Sequence, residues 1–459
     1  MLRSLILAMI LTCGMASAQT AVPESQAQIQ LSFAPVVKQA APAVVNIYAK
    51  RVVNVRTNPF RNDPFFDNLF RDFGAPRQRV ENSLGSGVIL SEDGIVVSNY
   101  HVVGQATDIR VVLTDRREFS ARVLLADEES DLAILQIDEA EGLHALELRD
   151  SDSVEVGELV LAIGNPFGVG QTVSSGIVSG LARSGVAMGN ARGYFIQTDA
   201  PINPGNSGGA LVDVAGRLIG INTWILSRSG GSNGIGFAIP SALVSEFVAQ
   251  ARAGKDRFTR PWAGLSGQPV MADMAEGLGL DRPGGIVISQ VHEQSPFMDA
   301  EIRPGDVIVA VDGLTVNTPA EMIYRMSVAG MGDTARISVI RNGEAREVTV
   351  RLIPAPDMPP RAEVQTGRKS AIPGMTLSNI NPAVIDEYGL GLSASGVLVV
   401  DPGRAGLRAG LRRGDILRGI NDTDAVDTDT AAALLEERMR WLSLDVQRGT
   451  QRSVLRFRL

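Results

Sequence analysis

The chain has 459 residues, 44% hydrophobic and 20% charged, with a formal net charge of −8 and a pI near 5.2. That length calls for roughly two to four domains, and the apolar fraction is that of globular domains, which excludes wholesale disorder and a polytopic membrane protein. The acidic balance offers no basic face for nucleic acid.

At the N-terminus Arg3 precedes an apolar stretch over residues 5–11, and Ala16, Ser17 and Ala18 supply the small residues of a cleavage site. The apolar run is about half of the ~20 residues needed to cross a bilayer. Residues 1–18 therefore read as a secretory signal peptide. The sole cysteine, Cys13, falls inside it, so the exported chain is expected to lack disulfides, thiol catalysis and Cys-ligated metal.

Residues 33–48 read as a helix feeding a strand. Over residues 56–82 regularity stops, and Pro59, Pro64 and Pro76 mix with Phe60, Phe65, Phe66, Phe70 and Phe73. This is too aromatic for a solvated linker and predicts a long functional loop, packed on another subunit or over the active site. From residue 85 to 240, short valine, isoleucine and leucine runs (87–90, 109–113, 132–135, 218–221) alternate with glycines, the pattern of a β-sandwich or barrel. Residues 241–253 are a predicted helix, capped by Ser241, with Val244, Phe247 and Val248 on one face. They close a first domain over residues 19–258.

Two later segments repeat each other. Arg-Pro-Gly-Asp-Val-Ile-Val-Ala-Val-Asp-Gly from Arg303 matches Arg-Arg-Gly-Asp-Ile-Leu-Arg-Gly-Ile-Asn-Asp from Arg412, and similar strands at 285–288 and 396–399 precede them. They are two copies of one domain, over 259–354 and 372–459. The proline-rich, polar stretch between them, 355–371, is a partly stiff linker.

The chemistry rests on three segments, Ser98-Asn99-Tyr100-His101, Ser130-Asp131-Leu132 and Gly205-Asn206-Ser207-Gly208-Gly209. Their chain order, His then Asp then Ser, is that of the chymotrypsin arrangement. A serine hydroxyl is a poor nucleophile until an imidazole takes its proton. His101 is the expected base, Asp131 the acid that orients it, and Ser207 the nucleophile. Glycines around Ser207 let the backbone turn sharply, and the Gly205-Asn206-Ser207 amides are the candidate oxyanion hole, with those of Gly205 and Ser207 converging on the oxyanion. His144 and His292 read as surface residues, and no metal site can be assembled.

Four motifs then carry a family resemblance. Gly-Asn-Pro-Phe-Gly from Gly164, Gln-Thr-Asp-Ala from Gln197, Gly-Asn-Ser-Gly-Gly-Ala-Leu from Gly205 and Ile-Gly-Phe-Ala-Ile-Pro from Ile235 are similar to those of HtrA/Deg proteases. The two repeated segments resemble the two PDZ domains of that family's DegP/DegQ branch. The resemblance implies a mainly β fold, a chymotrypsin-like double β-barrel followed by two PDZ domains. It implies an ATP-independent, cofactor-free periplasmic serine endopeptidase acting on unfolded exported proteins, with a homotrimer as building block and larger cages built from it. It further implies switching by loop rearrangement, with Arg183 at the sensor-loop position.

Pro201 and Pro204 depart from the family pattern and predict a more preformed active site. The specificity pocket is expected to use Ile202, Asn222, Thr223, Trp224 and Ile225, which offer no carboxylate and so favour a small or medium aliphatic P1 residue. In the first PDZ copy Trp262, Ala263, Gly264 and Leu265 precede a strand; the amides of the last three can hold a peptide carboxylate. The second copy has Pro373 there, without an N–H, so capture and a packing role remain equal readings. The alternative to a protease is a chaperone for unfolded proteins with proteolysis secondary. A PDZ adaptor with a dead protease domain is disfavoured by the complete set of triad residues.

Overall fold

The structure, a computed structural model, describes residues 32–56, 76–139, 141–165, 170–181, 194–203, 205–225 and 233–458. The predicted signal peptide at 1–18, Arg183 and Pro204 lie outside the described residues.

Two closed six-stranded barrels build the first part of the chain. The first joins β1 (Val44–Arg56), β2 (Pro76–Ile89), β3 (Ile95–Ser98), β4 (Asp108–Val112), β5 (Glu118–Asp127) and β6 (Leu132–Ile137) in the order β1-β2-β3-β6-β5-β4. The second joins β7 (Leu159–Gly164), β8 (Thr172–Gly180), β9 (Ile196–Thr198), β10 (Ala210–Asp213), β11 (Leu218–Ile225) and β12 (Gly236–Pro240) in the order β10-β11-β12-β9-β8-β7. Isoleucine and valine fill these strands because β-branched chains fit a pleated, buried surface, with leucine adding apolar bulk; β3 and β10 are buried throughout.

Two local readings are corrected. The irregularity expected over 56–82 does not hold at its ends, because β1 runs to Arg56 and β2 starts at Pro76, with those two residues paired. The polar run from Arg77 to Glu81 carries no apolar alternation, and its strand comes from pairing with β1. Phe60, Phe65, Phe66, Phe70 and Phe73, and with them the predicted functional loop, lie outside the described residues. The helix Ser241–Arg252 buries Val244 and Phe247 as expected, with Val248 partly buried and Leu243 buried beside them, but its N-cap is Pro240. The Ser241 hydroxyl instead donates to the Arg149 carbonyl at 2.5 Å.

Each PDZ copy is a sheet of the same order. In the first, β13 (Leu265–Pro269), β14 (Ile286–Val291), β15 (Val307–Val311), β17 (Thr334–Arg341) and β18 (Glu344–Arg351) run side by side, and β16 (Leu314–Thr315) pairs with β15. The second repeats this with β20 (Thr376–Asn379), β21 (Val397–Asp401), β22 (Ile416–Ile420), β24 (Trp441–Arg448) and β25 (Gln451–Arg458), β23 (Thr423–Asp424) pairing with β22. It adds β19 (Val364–Gln365) outside β20, on the edge where β13 of the first copy has no partner strand among the described residues. The expected linker 355–371 is therefore in part a strand of the second sheet, a pairing that its prolines and polar residues do not announce.

The first PDZ copy is seated on the barrels. Its helix Pro319–Ala329 packs against helix Ser241–Arg252. Tyr324 stacks on Tyr194 with ring centroids 4.1 Å apart, and Arg325 pairs with Asp152.

Candidate active site

The strand β3 ends at Ser98, and the one-turn helix Tyr100–Val103 carries His101 out of the first barrel. Its Nδ1 lies 2.9 Å from both carboxylate oxygens of Asp131, and its backbone N–H donates to Oδ1 at 3.0 Å. Asp131 is 3% exposed and sits at φ +53, a left-handed conformation uncommon outside glycine. Its carbonyl accepts from Asn99 Nδ2 and from the Tyr100 amide, which locks the turn onto the helix that carries the base.

Ser207 lies on the second barrel, in the glycine turn before β10. Its hydroxyl donates to the Thr223 carbonyl at 3.1 Å, while the Thr223 hydroxyl donates to Asp131 Oδ2 at 2.6 Å. Thr223 thus bridges the serine to the aspartate. That role differs from the pocket-lining one expected for it, and only its position on β11, facing the first barrel, reveals it. Ser86 on β2 was also missed. Its amide donates to the Ser207 carbonyl at 2.9 Å, and its hydroxyl donates to the Gly205 carbonyl at 2.7 Å while accepting from the Asn165 amide at 2.8 Å. Its place between Gly85 and Gly87 was the available signal, since those glycines mark close backbone approach.

The three candidate oxyanion amides are not equivalent. That of Asn206 is spent on the Asn203 carbonyl at 2.9 Å. Those of Gly205 and Ser207 have no hydrogen-bond partner among the described residues. Gly208 must be glycine: at φ +83 a Cβ there would stand 2.1 Å from the Ser86 carbonyl oxygen.

Of the remaining expected pocket residues, Ile202 is buried in the core of the second barrel, and the Asn222 side chain donates to the Ala210 carbonyl at 2.9 Å. Trp224 packs against the His101 ring at 5.5 Å between centroids. Ile225 is the last residue of β11. A cavity of about 310 Å³ opens beside His101, lined by Ala49, Lys50, Asn82, Ser83, Tyr100 and Gln105 among others.

The peptide-binding loops of the two PDZ copies diverge. In the first, the Trp262 amide is used on the Ile353 carbonyl, whereas those of Ala263 and Gly264 have no partner among the described residues. In the second, the Met375 amide donates to Thr366 Oγ1, the Gly374 amide to the Thr366 carbonyl and the Ile372 amide to Ser370 Oγ. Of the other histidines, His144 Nε2 lies 2.8 Å from the Gln39 carbonyl. His292 accepts from the Gln294 amide and lies against Trp262, and burial lowers its pKa.

Comparison with known proteins adds to this geometry. Models of the trypsin-like peptidase domain and of the PDZ domain match residues 85–221 and 265–352. The chain is 35% identical over 450 residues to the periplasmic serine endoprotease DegP of Escherichia coli, covering 92% of this chain and 91% of that protein. It is 36% identical over 423 residues to the periplasmic pH-dependent serine endoprotease DegQ of the same organism, covering 92% and 90%. The solved structure of the HtrA-type protease AlgW with decapeptide aligns at a TM-score of 0.53 and 41% identity, over 71% of this chain and 99% of that one.

Proposed function

Because the chain belongs to the HtrA/Deg family of serine endoproteases and is a serine endopeptidase, we propose that it degrades unfolded or misfolded exported proteins in the periplasm, with His101, Asp131 and Ser207 as its triad. The observation that carries the assignment is the chain of contacts from Ser207 through Thr223 to Asp131 and on to His101. In the resting arrangement the Ser207 proton is held by the Thr223 carbonyl. Rotation about χ1 brings it to the imidazole, which removes it as Oγ attacks the scissile carbonyl. Asp131, fixed on Nδ1, keeps Nε2 free to accept that proton and stabilises the resulting imidazolium. The unspent amides of Gly205 and Ser207 receive the oxyanion.

Substrate capture belongs to the first PDZ copy. Among the described residues its edge strand β13 has no outer partner and the Ala263 and Gly264 amides no acceptor, which leaves them to hold a terminal carboxylate. In the second copy β19 occupies that edge and Thr366 and Ser370 consume the amides, which supports a packing role there. Residues 1–18 act as a cleavable export signal, and the functional unit is a homotrimer or a multiple of it. A small or medium aliphatic P1 residue is preferred.

The test compares degradation of reduced, unfolded casein by wild type and Ser207→Ala, together with suppression of aggregation. Loss of more than about 10³-fold in rate with holdase activity retained is expected. Equal degradation by both proteins would refute the triad.

A further inference from the structure

Besides its contacts within the barrels, the turn that carries Asp131 is gripped by a residue from outside them. Its turn begins at Asp127, whose Oδ2 accepts from the Ser130 amide at 2.7 Å, and closes with the Asp131 amide on the Glu128 carbonyl at 3.3 Å. The guanidinium that binds this turn comes from Arg260, in the segment joining the protease barrels to the first PDZ copy. Nη1 donates to Asp127 Oδ1 at 3.1 Å, and Nη2 donates to Asp127 Oδ2 at 2.5 Å and to Ser130 Oγ at 2.7 Å. Glu129 lies 3.6 Å away, and the group rests over the Phe258 ring at 5.2 Å. A planar fork of donors fits a carboxylate plus a neighbouring hydroxyl in a way an ammonium cannot. The residue that follows Ser130 is the acid itself, in a left-handed conformation that persists only where surroundings over-determine it.

On its other side Arg260 borders a cavity of about 680 Å³ that also contains Ala263, Gly264 and Ile323 of the first PDZ copy and Asp386 of the second. Asp127 and Glu129 from the barrel and Asp386 from the second PDZ copy act on the Arg260 charge, and Arg257, Arg361 and Glu387 line the same cavity.

We propose that Arg260 is a positioning residue for the reaction: by clamping Asp127 and Ser130 it holds Asp131 on His101, so that alignment of the triad depends on how the segment leading into the first PDZ copy is seated. The inference rests on the triad assigned above. Removing the fork leaves Asp131 present but free to drift from Nδ1, which lowers turnover without touching the substrate-binding surface.

The test uses the full chain and a short blocked peptide p-nitroanilide, which has no free carboxylate to engage a PDZ loop. Arg260→Ala, Arg260→Lys, Ser130→Ala and Ser207→Ala are compared with wild type for kcat and KM, and a fluorescent C-terminal decapeptide reports first-PDZ binding. Expected for Arg260→Ala is a loss of about tenfold in kcat with KM and decapeptide affinity within about twofold. Arg260→Lys should restore part of kcat, and Ser130→Ala should lower it less than Arg260→Ala does. Wild-type kcat in Arg260→Ala overturns the proposal, as does a parallel loss of kcat, KM and decapeptide binding that lysine does not rescue. If Arg260→Ala does not fold, the lysine and Ser130 variants decide, and wild-type kcat in both overturns it. Activity retained by Ser207→Ala would instead remove the triad assignment, so the two failures are distinct.

Discussion

Ser86 touches three parts of the catalytic segment at once, through the Ser207 carbonyl, the Gly205 carbonyl and the Asn165 amide. It is fully buried, so no water replaces a lost bond. Ser86→Ala leaves the Gly205 carbonyl and the Asn165 amide unsatisfied, a cost of about 1–3 kcal/mol. With the Gly205 amide as the proposed oxyanion donor, we expect kcat to fall roughly tenfold with KM unchanged. Steady-state kinetics on a peptide anilide check this, and a pure KM effect would place Ser86 outside the catalytic segment. Thr223 belongs to the same scale. Without its hydroxyl Asp131 Oδ2 loses a 2.6 Å donor, and Thr223→Val is expected to lower kcat about tenfold while Thr223→Ser retains most of it.

At the scale of elements, a two-residue strand distinguishes two otherwise matching sheets. Adding β19 to β20 satisfies the edge that a ligand would otherwise pair with. Titration calorimetry with a C-terminal peptide should therefore give one site per chain, abolished by Ala263→Pro, which deletes a free amide; two sites would show that β19 is displaced. The sheets share another device, a buried aspartate gripped by an arginine, Asp306 with Arg341 and Asp415 with Arg448. For Asp306, burial alone would raise the carboxyl, but the Arg341 fork and the Arg303 amide together hold it below its ordinary value. A carboxylate with a depressed folded-state pKa contributes stability above its unfolded pKa and loses it as pH falls through about 4 and below. Arg341→Ala should then lower Tm clearly at pH 7 and little near pH 2.5. An equal drop at both values would assign the effect to packing.

Across the whole molecule, the first PDZ copy is joined to the barrels by a contact in which apolar stacking and charge coincide. Arg325 pairs with Asp152, donates to the Tyr194 hydroxyl at 2.9 Å and lies over the rings of both Tyr194 and Tyr324. Burial pushes the Tyr324 phenol up, so the stack stays neutral at physiological pH. Truncating Arg325 strips two partners at once, about 1–3 kcal/mol. Arg325→Ala is expected to split off a lower-temperature transition in calorimetry as the PDZ copy undocks. An unchanged profile would mean that the joining segment alone holds it.

The sequence by itself determined what is local. The three candidate catalytic motifs in chain order, the barrel-forming apolar runs, the duplicated segment and the missing N–H of Pro373 are each written in a few consecutive residues. Only the tertiary structure decided which groups remain free once the chain has closed on itself. Thr223 reaches Asp131 across 92 positions, Ser86 reaches Gly205 across 119 and Arg260 reaches Ser130 across 130. The strand that seals the second PDZ edge is made of residues whose composition reads as linker. Hydrogen-bond satisfaction is settled over the whole chain, because every buried donor must find an acceptor wherever the fold brings one. A motif specifies which chemistry a segment can perform, and the fold decides which of its amides are consumed and which distant residues reach it.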